Sequence, residues 1–131
     1  MSLSFFDSNV ILYLLSADAA KADKAEAIVA CGGVISVQVL NEVTSVWRRK
    51  LKMPWGDIEA VLAAVKSACT VVPLTITTHE STVDIAQRYG VSFYDANICA
   101  AAILAGANIL VSEDMQDGMS IDGLIIRNPF R

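Results

Sequence analysis

A chain of 131 residues suits one domain, and its 54% hydrophobic content supports a sizeable core and excludes disorder. The net charge is −4, so the overall field does not draw in nucleic acid, and no apolar run nears the ~20 residues of a membrane helix. Cys31, Cys69 and Cys99 form no Cys-x-x-Cys pair and His79 stands alone, which excludes a disulfide scaffold, a zinc site and a His-rich metal centre.

The start, Met1-Ser2-Leu3, carries no basic region or other targeting signature, so the cytoplasm is the expected location. Leu3 to Phe6 reads as a first strand ending at Asp7. Ser8 to Ser16 reads as a buried helix, and Asp18 to Cys31 as an exposed one stopped by Gly32-Gly33. Val34 to Ser36 is a second strand, with Ser36 placed to cap the helix from Val37 to Leu51. Trp47 falls on the apolar stripe of that helix and belongs to the core. Pro54 opens the next helix, and Trp55 after it packs the helix entry, a dimer interface or a nucleic-acid base. Thr70 to Leu74 is β-branched and reads as a strand. Thr77-Thr78-His79-Glu80 matches a capping box, so a helix is expected from there to Gly90. Asp95 opens an Ala-rich helix that stops near Gly106. Asn108 to Val111 is a strand, Ser112 to Gly118 an acidic loop, and Leu124 to Ile126 a last strand after the Asp122-Gly123 turn. The three cysteines are expected as small buried hydrophobes.

Strands alternating with helices imply an α/β fold: a central parallel sheet of about five short strands, flanked by helices on both faces. Ligand sites in such sheets form beyond the carboxyl ends of the strands. Asp7, Asp95 and Asp114 follow strands or open helices, and Glu42 lies two turns into the helix after the second strand. Gathered carboxylates repel one another unless protonated or neutralised by a cation. An all-oxygen set without His or Cys suits Mg²⁺ or Mn²⁺. Spacing alone leaves other roles open. Asp7 and Asp95 can be helix caps, Glu42 can sit on an exposed helix face, and Glu113, Asp114 and Asp117 can be solvated.

Four segments together resemble the PIN-domain nucleases, especially the VapC-type ribonuclease toxins of toxin–antitoxin pairs. They are Phe6-Asp7-Ser8-Asn9-Val10, Ile35 to Val43 around Glu42, Phe93 to Ala102 around Asp95, and Leu110-Val111-Ser112-Glu113-Asp114. The resemblance implies a single PIN-like domain over residues 1–131 that hydrolyses RNA with Mg²⁺ or Mn²⁺. It implies that Asp7, Glu42, Asp95 and Asp114 are the catalytic, metal-binding set, with Asn9 and Ser112 in support. Glu113 and Asp117 have no counterpart in the pattern, and either can assist Asp114. The resemblance also implies a homodimer and a small antitoxin partner that blocks the site with a basic side chain. Arg48, Arg49, Lys50 and Lys52 form the one basic run, read either as RNA-phosphate ligands or as favourable charges at a helix end.

The alternatives come from other classes. A receiver-like phosphotransfer domain wants paired acids at the first strand and a late lysine, but no lysine follows Lys66. A dehalogenase-like phosphatase wants Asp-x-Asp, where this chain has Asp7 and Asn9. A PIN-like binding or assembly module, or a housekeeping RNA-processing nuclease, would keep the same fold.

Overall fold

Strand β1 (Ser4–Phe6) buries two adjacent aromatics, Phe5 and Phe6. Successive strand side chains point to opposite faces, so both faces of this strand must be covered. The computed structural model, which describes residues 2–131, shows how. Met1, at the start of the expected domain, lies outside the described residues.

After β1 come α1 (Ser8–Leu12), which tightens into a 3₁₀ turn over Tyr13–Leu15, and α2 (Ala19–Ala30). Then follow β2 (Gly33–Ser36), α3 (Val37–Arg49), α4 (Trp55–Ala68) and β3 (Cys69–Val72). The second half holds α5 (Ile76–Tyr89), α6 (Phe93–Leu104), β4 (Ile109–Val111), β5 (Ser120–Ile121) and β6 (Leu124–Arg127). The sheet order is β3-β2-β1-β4-β6-β5. Every pairing is parallel except that of β5 with β6.

The chain therefore winds outward from β1 to β3, then crosses back to β4 on the other side of β1. With the right-handed crossovers that parallel strands take, this reversal puts α5 and α6 on the opposite face from α1 to α4. The core between them is filled by Ile11, Ile35, Trp47, Leu110 and Ile126, all fully buried. Each such side chain contributes ~1.5–3 kcal/mol relative to exposure. Gly33 is needed where β2 meets β1: a Cβ there would lie 2.6 Å from the Phe6 ring and 2.8 Å from the Ser4 carbonyl oxygen.

Several boundaries differ from the sequence expectation. Pro73 has no N–H for a ladder, and β3 ends at Val72, not Leu74. The capping box is Thr75 with Thr78, whose hydroxyls each accept from the other's amide, so α5 starts before Thr77. Among the described residues the sheet has six strands: Asp122 and Gly123 take left-handed conformations in a tight hairpin, and the two-residue β5 pairs back on β6. Cys69 and Cys99 are buried as expected, but Cys31 is exposed, because it caps α2 at the surface.

Candidate active site

The switch of strand order at β1 and β4 brings two chain segments side by side. Phe6 is in register with Val111, so Asp7 and Ser112 leave neighbouring strand ends together. The Asp7 amide donates to the Val111 carbonyl (3.0 Å). The Asp7 side chain is buried. Its Oδ1 accepts from the Ser8 amide (2.7 Å), which also caps α1, and its Oδ2 accepts from Ser112 Oγ (2.7 Å). Burial pushes the Asp7 carboxyl up to about 6. The bonds from Ser112 and Ser8 oppose the rise, and the charges of Asp114 and Glu42 add to it. Ser112 Oγ also accepts from the amide of Asp114 (3.2 Å), tying the next acid to the first.

Glu42 is half-buried on α3, not on a solvated face. Its Oε2 accepts from Ser8 Oγ (2.6 Å) and its Oε1 from Gln38 Nε2 (3.1 Å). Asp95 sits in the first turn of α6, and Ser92, not Asp95, caps that helix by accepting from the Asp95 amide (3.1 Å). The carboxylate of Asp95 is thus left free of the capping role. Asp7, Glu42, Asp95 and Asp114 all line one open cavity of about 560 Å³. Among the described residues none of the four takes part in an ion pair.

The acidic ligand candidates of this cavity offer oxygen atoms, and no histidine or cysteine lines it. Asn9 also lines it, with Oδ1 accepting from the Glu113 amide (3.3 Å) and a buried Nδ2 that has no partner. The Cys99 thiol is pushed up to about 12 by burial, with Asp95 and Asp7 adding to the rise, so it is no thiolate nucleophile. Three further acids around the desolvated Asp7 carboxylate, none of the four in an ion pair, fit a hard divalent cation in donor type and charge. Among the described residues, however, no three acids, histidines or cysteines converge closely enough to enclose an ion.

Compared with known families, the chain matches the PIN domain over residues 4–116. It belongs to the PIN-domain family. Three solved structures share this PIN fold at low identity. A chain of a toxin–antitoxin complex from Klebsiella pneumoniae is 22% identical with a TM-score of 0.74, over 97% of this chain and 98% of that one. The VapC20 toxin of Mycobacterium tuberculosis, described as cleaving the sarcin–ricin loop, is 21% identical with a TM-score of 0.67, over 82% and 86%. VapBC2 of Rickettsia felis, bound to a DNA fragment from its promoter, is 19% identical with a TM-score of 0.69, over 96% and 98%. Comparison with curated proteins finds no match.

Other residues singled out in the sequence are scattered around this PIN domain. Asp117 lies away from the cavity, accepting from the Asn128 amide (2.8 Å) and pairing with Arg131 (3.3 Å). Glu113 turns outward to Tyr13 and Lys21. Neither lines the cavity with Asp114. Of the basic run only Arg49 lines the cavity. Arg48 donates to the Met53 carbonyl (3.0 Å) and lies 4.9 Å over the Trp55 ring, while Lys50 and Lys52 are exposed beyond α3. Trp47 is fully buried, so it stacks no base. Sequence reasoning missed Ser8, Gln38 and Tyr94 in the cavity wall. Ser8 and Gln38 had a readable signal, the second lying one helical turn before Glu42.

Proposed function

We propose that this PIN-domain protein is a metal-dependent ribonuclease that hydrolyses RNA phosphodiester bonds, and that it is the toxin of a toxin–antitoxin pair. One observation carries the reading: four acids without ion-pair partners share a cavity at the sheet's switch point, and the deepest is held at a raised pKa. Perturbed groups in a cleft mark functional sites.

Asp7, Glu42, Asp95 and Asp114 would hold Mg²⁺ or Mn²⁺. Such an ion, when bound, offsets their repulsion, polarises the phosphodiester and acidifies the attacking water. The chain's own residues prepare the rest. Ser112 and the Ser8 amide hold both oxygens of Asp7, and Ser8 and Gln38 hold both oxygens of Glu42. Arg49 supplies a cation for the phosphate, and Asn9 Nδ2 is a spare donor for a substrate oxygen. No helix among the described residues is long and apolar enough to cross a membrane, which accords with action on RNA in the cytoplasm. An acidic cavity is also suited to a basic antitoxin side chain, and the homodimer belongs to the same reading.

A PIN module that binds without cutting is the second reading. Its support is that no three of the described acids converge as they stand. The test is cleavage of a labelled single-stranded RNA with Mn²⁺ or Mg²⁺ and with EDTA. Cleavage that requires the metal supports the nuclease, and its absence together with no metal-dependent stabilisation supports the binding module.

A further inference from the structure

Tyr94 is 68% exposed, yet it lines the cavity and immediately precedes Asp95. Its hydroxyl has no hydrogen-bond partner among the described residues, so neither packing nor a polar bond explains the ring's position. Phe93 beside it is also half exposed but lies outside the cavity lining, its ring centroid 6.1 Å from that of His79. A large aromatic left at the mouth of a cavity points to a ligand with an apolar face.

The cavity's charge says more about that ligand. Four carboxylates and one arginine repel a polyanion on balance, so attraction to phosphate alone does not seat RNA here. Arg49, on α3, makes no ion pair with the described acids, which leaves its guanidinium available. Stacking supplies the part of the affinity that charge does not. Every base has a π-face, but only an unpaired base offers it to a side chain.

We propose that Tyr94 is a stacking platform for one unpaired nucleobase, with Arg49 holding the adjoining phosphate. This rests on the RNA-directed reading above and names the two side chains that seat the strand. The cavity, at about 560 Å³, lies within the range of small-ligand sites and has room for a nucleotide-sized group.

The test is fluorescence anisotropy with a labelled 12-nucleotide single-stranded RNA, its blunt duplex, and a series carrying one abasic position, in Ca²⁺ buffer. Tyr94→Phe and Tyr94→Ala are compared with wild type, and melting curves check that the folds match. The expected result is about a tenfold loss of single-strand affinity in Tyr94→Ala, with little change in Tyr94→Phe. That loss should vanish for the duplex and for one abasic position. Equal single-strand affinity in wild type and Tyr94→Ala, or an equal loss on duplex, overturns the proposal. No RNA binding by wild type also overturns it and leaves the aromatic rim to a protein partner. Tyr94-dependent binding without cleavage in Mn²⁺ sinks the nuclease reading alone, and cleavage with Tyr94-independent affinity sinks this proposal alone.

Discussion

Asp7 and Asp122 are the same residue under opposite conditions. Asp122 sits at the surface hairpin, where Arg88 donates to both oxygens (3.0 and 2.5 Å) and the Tyr89 hydroxyl to one (2.8 Å). The Arg88 bonds chiefly, and then that of Tyr89, lower the Asp122 carboxyl to about 2. Asp7 is buried with neutral donors only and shares its cavity with three more acids, so its carboxyl rises to about 6. The first cluster is complete as it stands and ties α5 to the hairpin. The second is short of positive charge. A folded protein retains such a deficit where a ligand removes it.

The contrast can be broken in several ways, and the largest expected effect is on activity. Asp7→Asn or Asp95→Asn should cut metal-dependent RNA cleavage by about 10²–10³-fold or more while the fold persists, as circular dichroism and cleavage assays would show. Full activity in both would move the reaction elsewhere.

The next effect concerns stability without metal. Asp7 has its pKa raised on folding, from 3.8 to about 6, so the native state binds the extra proton. Stability should therefore fall as pH rises from about 4 to about 6, and the penalty persists above that. Asp7→Asn removes it and should stabilise the metal-free protein at pH 7 by about 1–3 kcal/mol, measured by urea unfolding. Ser112→Ala acts the other way. It deletes a bond that holds the ionised form, so Asp7 should titrate higher still, and the unfolding free energy should drop by about 1–2 kcal/mol.

The smallest effect belongs to the satisfied cluster. Asp122→Asn should lower the melting temperature slightly, and added salt should erase much of the difference. Its pKa is lowered on folding, so this contribution is present above about 4 and is lost as pH falls toward 2. A larger loss than that from Ser112→Ala would reverse the ranking of the two regions.

Much of this contrast was legible before the fold. Asp7, Asp95 and Asp114 are grouped because strand ends and helix starts are marked by local signals, and open parallel sheets gather ligands there, while Glu42 joins them only through the family resemblance. The long-range partners were not legible. Glu113 and Asp117 read in sequence as residues that can assist Asp114, and only the fold brings Tyr13 and Lys21 to one and Arg131 to the other. Ser8 reads in sequence only as the start of a helix, although its hydroxyl reaches Glu42 across 34 positions. Thr75 is missed because Thr77 and Glu80 match the usual Ser/Thr-x-x-Glu spacing, whereas the box that forms pairs Thr75 with Thr78. Exposure of Tyr94 and Cys31 depends on what packs nearby, which no local pattern encodes.

Thermal melting of wild type and Asp7→Asn at pH 5 and pH 7.5, with and without Mn²⁺, tests most directly the proposal that the cavity acids are held together at a cost that a divalent cation removes. Wild type should melt lower at pH 7.5 than at pH 5 without metal and recover with Mn²⁺, because a ligand that binds only the native state stabilises it. Asp7→Asn should melt higher than wild type without metal and respond little to Mn²⁺. An Asp7→Asn protein that melts lower at pH 7.5, or gains as much from Mn²⁺ as wild type, would contradict it.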